Sequence, residues 1–387
     1  MTEMVHGGAA AHGRDPLLPR WWRSLDHWTL LCVLGLFAIG LLLGLAASIP
    51  LAERHDLPPL HFVGRQAAFG VLAIAVMLGI STLPPEDVRR IGVLGFLASF
   101  VALALLPVLG TDHGKGAVRW FSLGFASIQP SEFVKPGFVI LAAWLMAAED
   151  TPGGPPGRAW SFAVASIIVL FLAMQPDFGQ SALLIFSWTV MWFIAGAPLA
   201  FIAVLVGLVV ALGVFAYGAS EHFARRIDGF LDPEISPTDQ LGYAAGAIRE
   251  GGFFGVGVGE GTVKMRLPDA HTDFIIAVAA EEYGLVLVLV VIALYLAIVL
   301  RSLSRAMRER DAFTRLAATG LACAFGVQAL INMGVAARLL PAKGMTLPFV
   351  SYGGSSLIAG GIGLGMLLAL TRSRPQGGID DLMGRLR

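Results

Sequence analysis

Residues Leu267-Pro268-Asp269-Ala270-His271-Thr272-Asp273-Phe274 close a polar stretch over 220–271 and lead into a long apolar run. A carboxylate at the lip of a membrane span is costly to keep there, so it is a functional candidate by default. The run is expected to form a helix with Asp273 in its first turn and Glu281-Glu282 two turns further on. On such a helix Asp273, Ala277, Ala280 and Glu281 fall roughly on one side. The small residues would let a neighbour or a substrate approach closely. His271, Arg266 and Lys264 stand within a few residues and favour a site here. A plainer reading stands beside this one: Thr272 or Asp273 caps the helix, stabilising it by about 1 kcal/mol.

Four other polar motifs flank apolar runs. Arg119-Trp120 precedes Gln129-Pro130-Ser131-Glu132, with Lys135 three residues after Glu132. That spacing puts acid and base on one helix face, either as an internal ion pair or as the lining of a cavity for a charged ligand. Pro130 fits the first helical turn, where its missing N–H costs nothing. In Gln175-Pro176-Asp177 the acid is either a helix cap or part of the same polar site. Residues 251–264 are glycine-rich. They permit close backbone approach or tight turns, and they lack the strand–helix context of a nucleotide-binding loop. Finally Lys343-Gly344-Met345-Thr346-Leu347-Pro348, with Ser351 and Tyr352, forms a loop dense in hydrogen-bonding groups before the last apolar run.

The elements that must carry these groups are membrane spans. The chain has 387 residues, of which 56% are hydrophobic and 14% charged; soluble domains carry about 25% charged residues. Mean hydropathy is +0.75. About 20 apolar residues cross a bilayer. Ten candidate segments appear: 28–48, 62–82, 91–110, 131–148, 161–175, 178–196, 199–219, 272–300, 314–337 and 353–371. The first is expected to be a retained span, not a cleaved signal. Fifteen of the 27 Lys and Arg fall on the side of the termini, at 14–23, 89–90, 158, 301–315 and 372–387. Arg54, Lys115, Arg119, Arg338 and Lys343 are those in the short loops opposite. The bias puts both termini in the cytoplasm and all five motifs outside. The expected fold is therefore an all-α polytopic membrane protein. It has a cytoplasmic tail at 1–27, a transmembrane domain at 28–371 with one large extracytoplasmic loop near 220–271, and a cytoplasmic tail at 372–387. Residues 379–383 read as disordered or as a docking segment for a cytoplasmic partner. Zero net charge gives no hint of nucleic-acid binding, and Cys32 and Cys323 read as small hydrophobes.

In order and spacing, these five motifs resemble the SEDS family (shape, elongation, division and sporulation) over about residues 28–371. Lys343-Gly344-Met345-Thr346-Leu347-Pro348 and Gly259-Glu260-Gly261-Thr262-Val263-Lys264 resemble the FtsW-like division branch more than the RodA-like elongation branch. The resemblance implies a peptidoglycan glycosyltransferase that polymerises lipid II at the outer face of the bacterial cytoplasmic membrane, at the division septum. It implies a class B penicillin-binding protein transpeptidase as partner, with other division membrane proteins. An α-linked donor and a β-linked product need one inverting displacement. Asp273 matches the family's essential aspartate and is the candidate base, a role worth about 10²–10⁴-fold in rate. Lys343, Arg119 and Lys135, then Arg226 and Lys264, are candidates for the leaving pyrophosphate. Trp120, Glu132, Asp177, His271, Glu281, Ser351 and Tyr352 complete the expected substrate-binding set. A divalent cation, Mg or Mn, would share the phosphate charge, since such ions need few protein ligands. The chain departs from the family pattern at Gly242-Tyr243-Ala244-Ala245, where relatives often carry glutamines, and at Arg266, where some carry an acid. A lipid II transporter and a non-catalytic scaffold are the competing classes. Transporter sites lie near the midplane in repeated halves, whereas these motifs gather at one face.

Overall fold

The computed structural model describes residues 17–54, 56–111, 118–122, 124, 127–219, 221–231, 240–341 and 344–373. Lys343 lies outside the described residues, as do Gly116, Ala117, Asp232, Pro233 and the tail segment 379–383. A short amphipathic helix, α1 (Leu17–Ser24), precedes α2 (His27–Arg54), α3 (His61–Ser81) and α4 (Pro85–Leu109). A hairpin, β1 (Phe121–Ser122) against β2 (Ser127–Ile128), leads to α5 (Pro130–Glu149), α6 (Gly157–Met174), α7 (Phe178–Ile194) and α8 (Leu199–Ala219). Then come α9 (Glu221–Leu231), α10 (Gln240–Gly251), α11 (Ile275–Ala306), α12 (Ala312–Ala336) and α13 (Gly354–Thr371).

Among the described residues nine helices are long and apolar enough to span a membrane, and α7, at 17 residues, is a shorter apolar helix. Together they account for the ten expected segments. The helices end where the chemistry requires it. Pro85 and Pro130 open α4 and α5, where a missing N–H is harmless. Asp311 caps α12, accepting from Thr314 N at 2.8 Å. The centre of the bundle is α5, α12 and α13, with α3 on α13, α4 on α5, α7 on α12, and α2 and α10 on α11. By contrast α8 is peripheral, with Leu205 its one buried side chain. The far end of α11 is fastened to α2 by Arg301 Nε, 2.7 and 2.8 Å from the two oxygens of buried Asp26.

Two expectations need correction. The 220–271 stretch is not simply a polar loop, since it contains α9 and α10. Nor does Asp273 lie in the first turn of a helix: α11 starts at Ile275, and Asp273 belongs to the turns before it. The capping alternative for Thr272 or Asp273 does not hold either. Phe274 is the N-cap residue, with no side-chain cap, and Thr272 Oγ1 donates backward to Asp269 O at 3.1 Å.

Within its apolar run α11 is broken at Gly284, whose φ of 73° and ψ of −171° are non-helical. A broken helix frees backbone groups that lipid cannot satisfy. The glycine-rich turn after α10 supplies the partners. Leu285 N donates to Gly252 O at 3.0 Å and Val286 N to Phe253 O at 3.3 Å. In return Val256 N donates to Glu281 O at 2.9 Å and Gly257 N to Glu282 O at 3.2 Å. This approach requires glycine: a Cβ on Gly251 would stand 1.8 Å from Ala280 O, and one on Gly284 2.3 Å from Phe253 O. Gly284→Ala is therefore expected to destabilise the fold by about 1–3 kcal/mol or more, from backbone strain alone. An unchanged melting temperature in detergent, followed by tryptophan fluorescence, would contradict this.

Candidate active site

Asp273 is half-buried on a turn clamped from two sides. Its backbone N donates to Asp269 O at 3.0 Å. Its carbonyl accepts from Asn332 Nδ2 at 2.8 Å, and the same amide donates to Met345 O at 2.6 Å. Thus α12 ties the turn to the loop before α13. Ser351 strengthens the tie, with Oγ donating to Thr272 O and accepting from Leu347 N at 2.8 Å. Tyr352 N donates to His271 O at 2.9 Å, and the rings of Phe62, His271 and Tyr352 pack within 5.6 Å of one another. The Asp273 carboxylate faces Gly344, where a Cβ would come within 3.0 Å of Oδ2.

A second polar group runs inward from the outer ends of α5 and α7. Lys135 Nζ bonds Glu132 Oε2 at 2.8 Å and Gln328 Oε1 at 2.7 Å. Glu132 Oε1 accepts from Gln180 Nε2 at 2.5 Å. Asp177 accepts from Gln180 N at 3.4 Å and from Gln129 Nε2 at 3.5 Å. Arg119 donates to the carbonyls of Gln175 at 2.9 Å and Pro176 at 2.8 Å, closing the end of α6. Burial pushes the Asp177 carboxyl above its usual range, while Arg119 pulls it down. Gln328 then reaches the loop before α13 through Nε2 to Thr346 O at 3.1 Å. Gln328 and Asn332, one turn apart on α12, therefore connect the Glu132–Lys135 pair to the turn of Asp273.

The ion-pair reading of Glu132 and Lys135 holds. The pair is internal, and it also forms the polar end of a narrow cavity of about 50 Å³. The apolar walls of that cavity include Pro136, Leu321, Phe325 and Leu364. Asp177 is both cap and network member. Trp120 is half-buried and joined to Thr111 by a backbone bridge.

Lys264 and Glu281, expected among the substrate-binding residues, are engaged inside the protein instead. Both oxygens of Glu281 accept backbone N–H groups, from Val263 at 2.7 Å and Lys264 at 2.9 Å. The Lys264 ammonium pairs with Glu282, which also accepts from Gly259 N at 3.2 Å. All three side chains are buried, so their charges hold the 259–264 loop to the outer half of α11. The side chain of Arg226 is not among those described.

No group of three or more His, Cys, Asp or Glu among the described residues is placed to hold a metal ion. A divalent cation here would draw most of its ligands from phosphate oxygens and water. Beside the site an apolar groove of about 500 Å³ runs between α10, α11 and α12. It starts at Ile276 and Ala280 and continues along Val288, Ile292, Leu330 and Met333.

A sequence profile described as "Cell cycle protein" and named for FtsW, RodA and SpoVE matches residues 26–376. The chain belongs to this FtsW/RodA/SpoVE family. Among its family relatives, a probable peptidoglycan glycosyltransferase FtsW of Caulobacter vibrioides is 41% identical, covering 92% of this chain and 91% of that one. A protein of the same description from Alkalilimnicola ehrlichii is 38% identical, over 90% and 89% of the two chains. Solved structures agree. A chain from a peptidoglycan synthase complex, described as coordinating polymerization and crosslinking, matches with a TM-score of 0.74 and 28% identity, covering 92% of this chain and all of that one. The rod shape determining protein RodA of Thermus thermophilus matches at 0.66 with 28% identity, over 92% and 99% of the two chains. Members of this family are multi-pass membrane proteins, and so is this chain.

Proposed function

We propose that the chain is a division-type peptidoglycan glycosyltransferase that polymerises lipid II at the outer face of the bacterial cytoplasmic membrane, with Asp273 as general base. The observation that carries this reading is the rigid mounting of one half-buried carboxylate, linked through Asn332 and Gln328 of α12 to the buried Glu132–Lys135 pair. The names of the relatives support the reaction class, and their FtsW description supports division and the septum. The base takes the proton of a GlcNAc 4-hydroxyl as its oxygen attacks C1 of a MurNAc. The C1–O bond to the lipid pyrophosphate breaks, and the pyrophosphate departs with the electron pair. Inversion follows from the single displacement. Lys135, with Arg119 and Lys343 as further candidates, would offset the pyrophosphate charge. A class B penicillin-binding protein would lay its single span in the groove of Val288, Ile292, Leu330 and Met333, coupling crosslinking to polymerisation.

The test is glycan synthesis from lipid II in detergent, with no bilayer to cross. Polymer that disappears with Asp273→Ala supports the enzyme. Lipid II movement in vesicles without polymer under any condition supports a transporter. Asn332→Ala frees both the Asp273 carbonyl and the Met345 carbonyl. It is expected to slow polymerisation about 10- to 100-fold, because misplacing a catalytic group by ~1 Å has that cost. Asn332→Ala turning over at the wild-type rate would remove the amide from the mechanism.

A further inference from the structure

Resting on the glycosyltransferase reading, we propose that a cleft between the outer end of α2 and residues 264–271 seats the diphosphate of a second lipid-linked substrate. The cleft encloses about 200 Å³. At ~30 Å³ per water that is room for a diphosphate group. Arg54, Arg266 and His271 bring basic groups to it, and Asp269 is the acid among its lining residues. Lys264 also lines it, but its charge is already met by Glu282.

The cleft is built, not a chance gap in the surface. Arg54 Nη2 donates to Met265 O at 2.5 Å, joining residues far apart in sequence and fixing one wall. Arg266 is exposed, and its guanidinium makes no hydrogen bond or ion pair among the described residues. An unpaired guanidinium offers a bidentate fork that suits phosphate oxygens.

The same Asp269 that lines the cleft accepts the backbone N–H of Asp273 at 3.0 Å. His271 is two residues from Asp273, so their Cα atoms lie within ~7 Å. The Lys135 cavity, in contrast, reaches this turn only through Gln328 and the loop before α13. Joining two lipid-linked sugars brings two diphosphates to one base. One leaves as the bond forms, and the other stays attached to its substrate. The cleft offers the unpaired guanidinium of Arg266 close to the base, apart from the Glu132–Lys135 cavity assigned above to the leaving group.

Two measurements test this. In the polymerisation assay Arg266→Glu is expected to raise KM for lipid II at least fivefold with kcat within about threefold. Arg266→Lys should fall between, and Arg225→Glu on α9 should match wild type. Independently, the purified full chain carrying Asp273→Asn is titrated by microscale thermophoresis with undecaprenyl pyrophosphate, undecaprenol and phosphatidylglycerol. Adding Arg266→Glu should weaken undecaprenyl pyrophosphate binding at least threefold and leave undecaprenol unchanged. Equal KM and equal diphosphate binding in Arg266→Glu overturn the proposal. So does a loss confined to phosphatidylglycerol, which would mark a general anionic-lipid contact. Undiminished polymerisation by Asp273→Asn would sink the base assignment while leaving the diphosphate titration to decide the cleft.

Discussion

Asp273→Asn is expected to cut glycan polymerisation by about 10²–10⁴-fold, the usual worth of a positioned base, while the protein folds as before. The substitution is chosen for what it preserves. The ties that hold this turn use main-chain atoms of residue 273: its carbonyl to Asn332 and its N–H to Asp269. An amide side chain disturbs neither. It keeps the shape beside Gly344, where the carboxylate sits close to the backbone, and removes the negative charge and the capacity to take a proton. KM for lipid II should therefore change little as kcat collapses, the pattern of a group used in the transition state alone. Strand length and yield from lipid II in detergent would be read beside the melting temperature. A variant with normal melting and full strand synthesis would refute the base, and with it the displacement proposed here.

The parts of this architecture that follow local rules were legible in the sequence. Hydropathy located the ten apolar segments, because burying them in lipid needs only composition and length. Pro130 and Asp177 marked helix starts correctly, because a missing N–H and a capping carboxylate act within one turn. The three-residue spacing of Glu132 and Lys135 gave their ion pair. Partners distant in sequence were not legible. Gln328 and Asn332 sit in an apolar run, where single amides attract no notice. Their signal was the four-residue spacing that puts both on one face of α12, and their purpose appears only when Lys135 and Asp273 arrive from other elements. The break at Gly284 was hidden for a related reason. Glu281-Glu282-Tyr283-Gly284-Leu285 reads as continuous helix, and nothing local announces that residues 252–257 satisfy the broken backbone. Nor does any spacing rule connect Lys264 to Glu282. Taken alone, Lys264 looked like a ligand for phosphate.

Lys264→Met is expected to destabilise the protein by about 3–5 kcal/mol, the cost of removing one partner of a buried pair. Glu282 is essentially inaccessible, and of its two oxygens Oε2 has no partner among the described residues. Without the ammonium, Oε1 would keep only the Gly259 N–H at 3.2 Å. The loop around 259–264 would then lose its strongest tie to Glu282 and depend chiefly on Glu281. This matters for catalysis because Glu281 and Glu282 belong to the short piece of α11 between Ile275 and the break at Gly284, and that piece continues directly from the turn of Asp273. Loosening the loop frees the half-helix and, through it, the base. The double variant Lys264→Met/Glu282→Gln removes the stranded charge along with its partner. A buried pair replaced by neutral groups of similar volume is often no less stable than the original, so the double variant should regain most of the melting temperature and most of the polymerisation rate. If instead the single and double variants lose rate equally while both melt as wild type does, Lys264 contacts substrate directly, and its pairing with Glu282 is incidental to how the base is held.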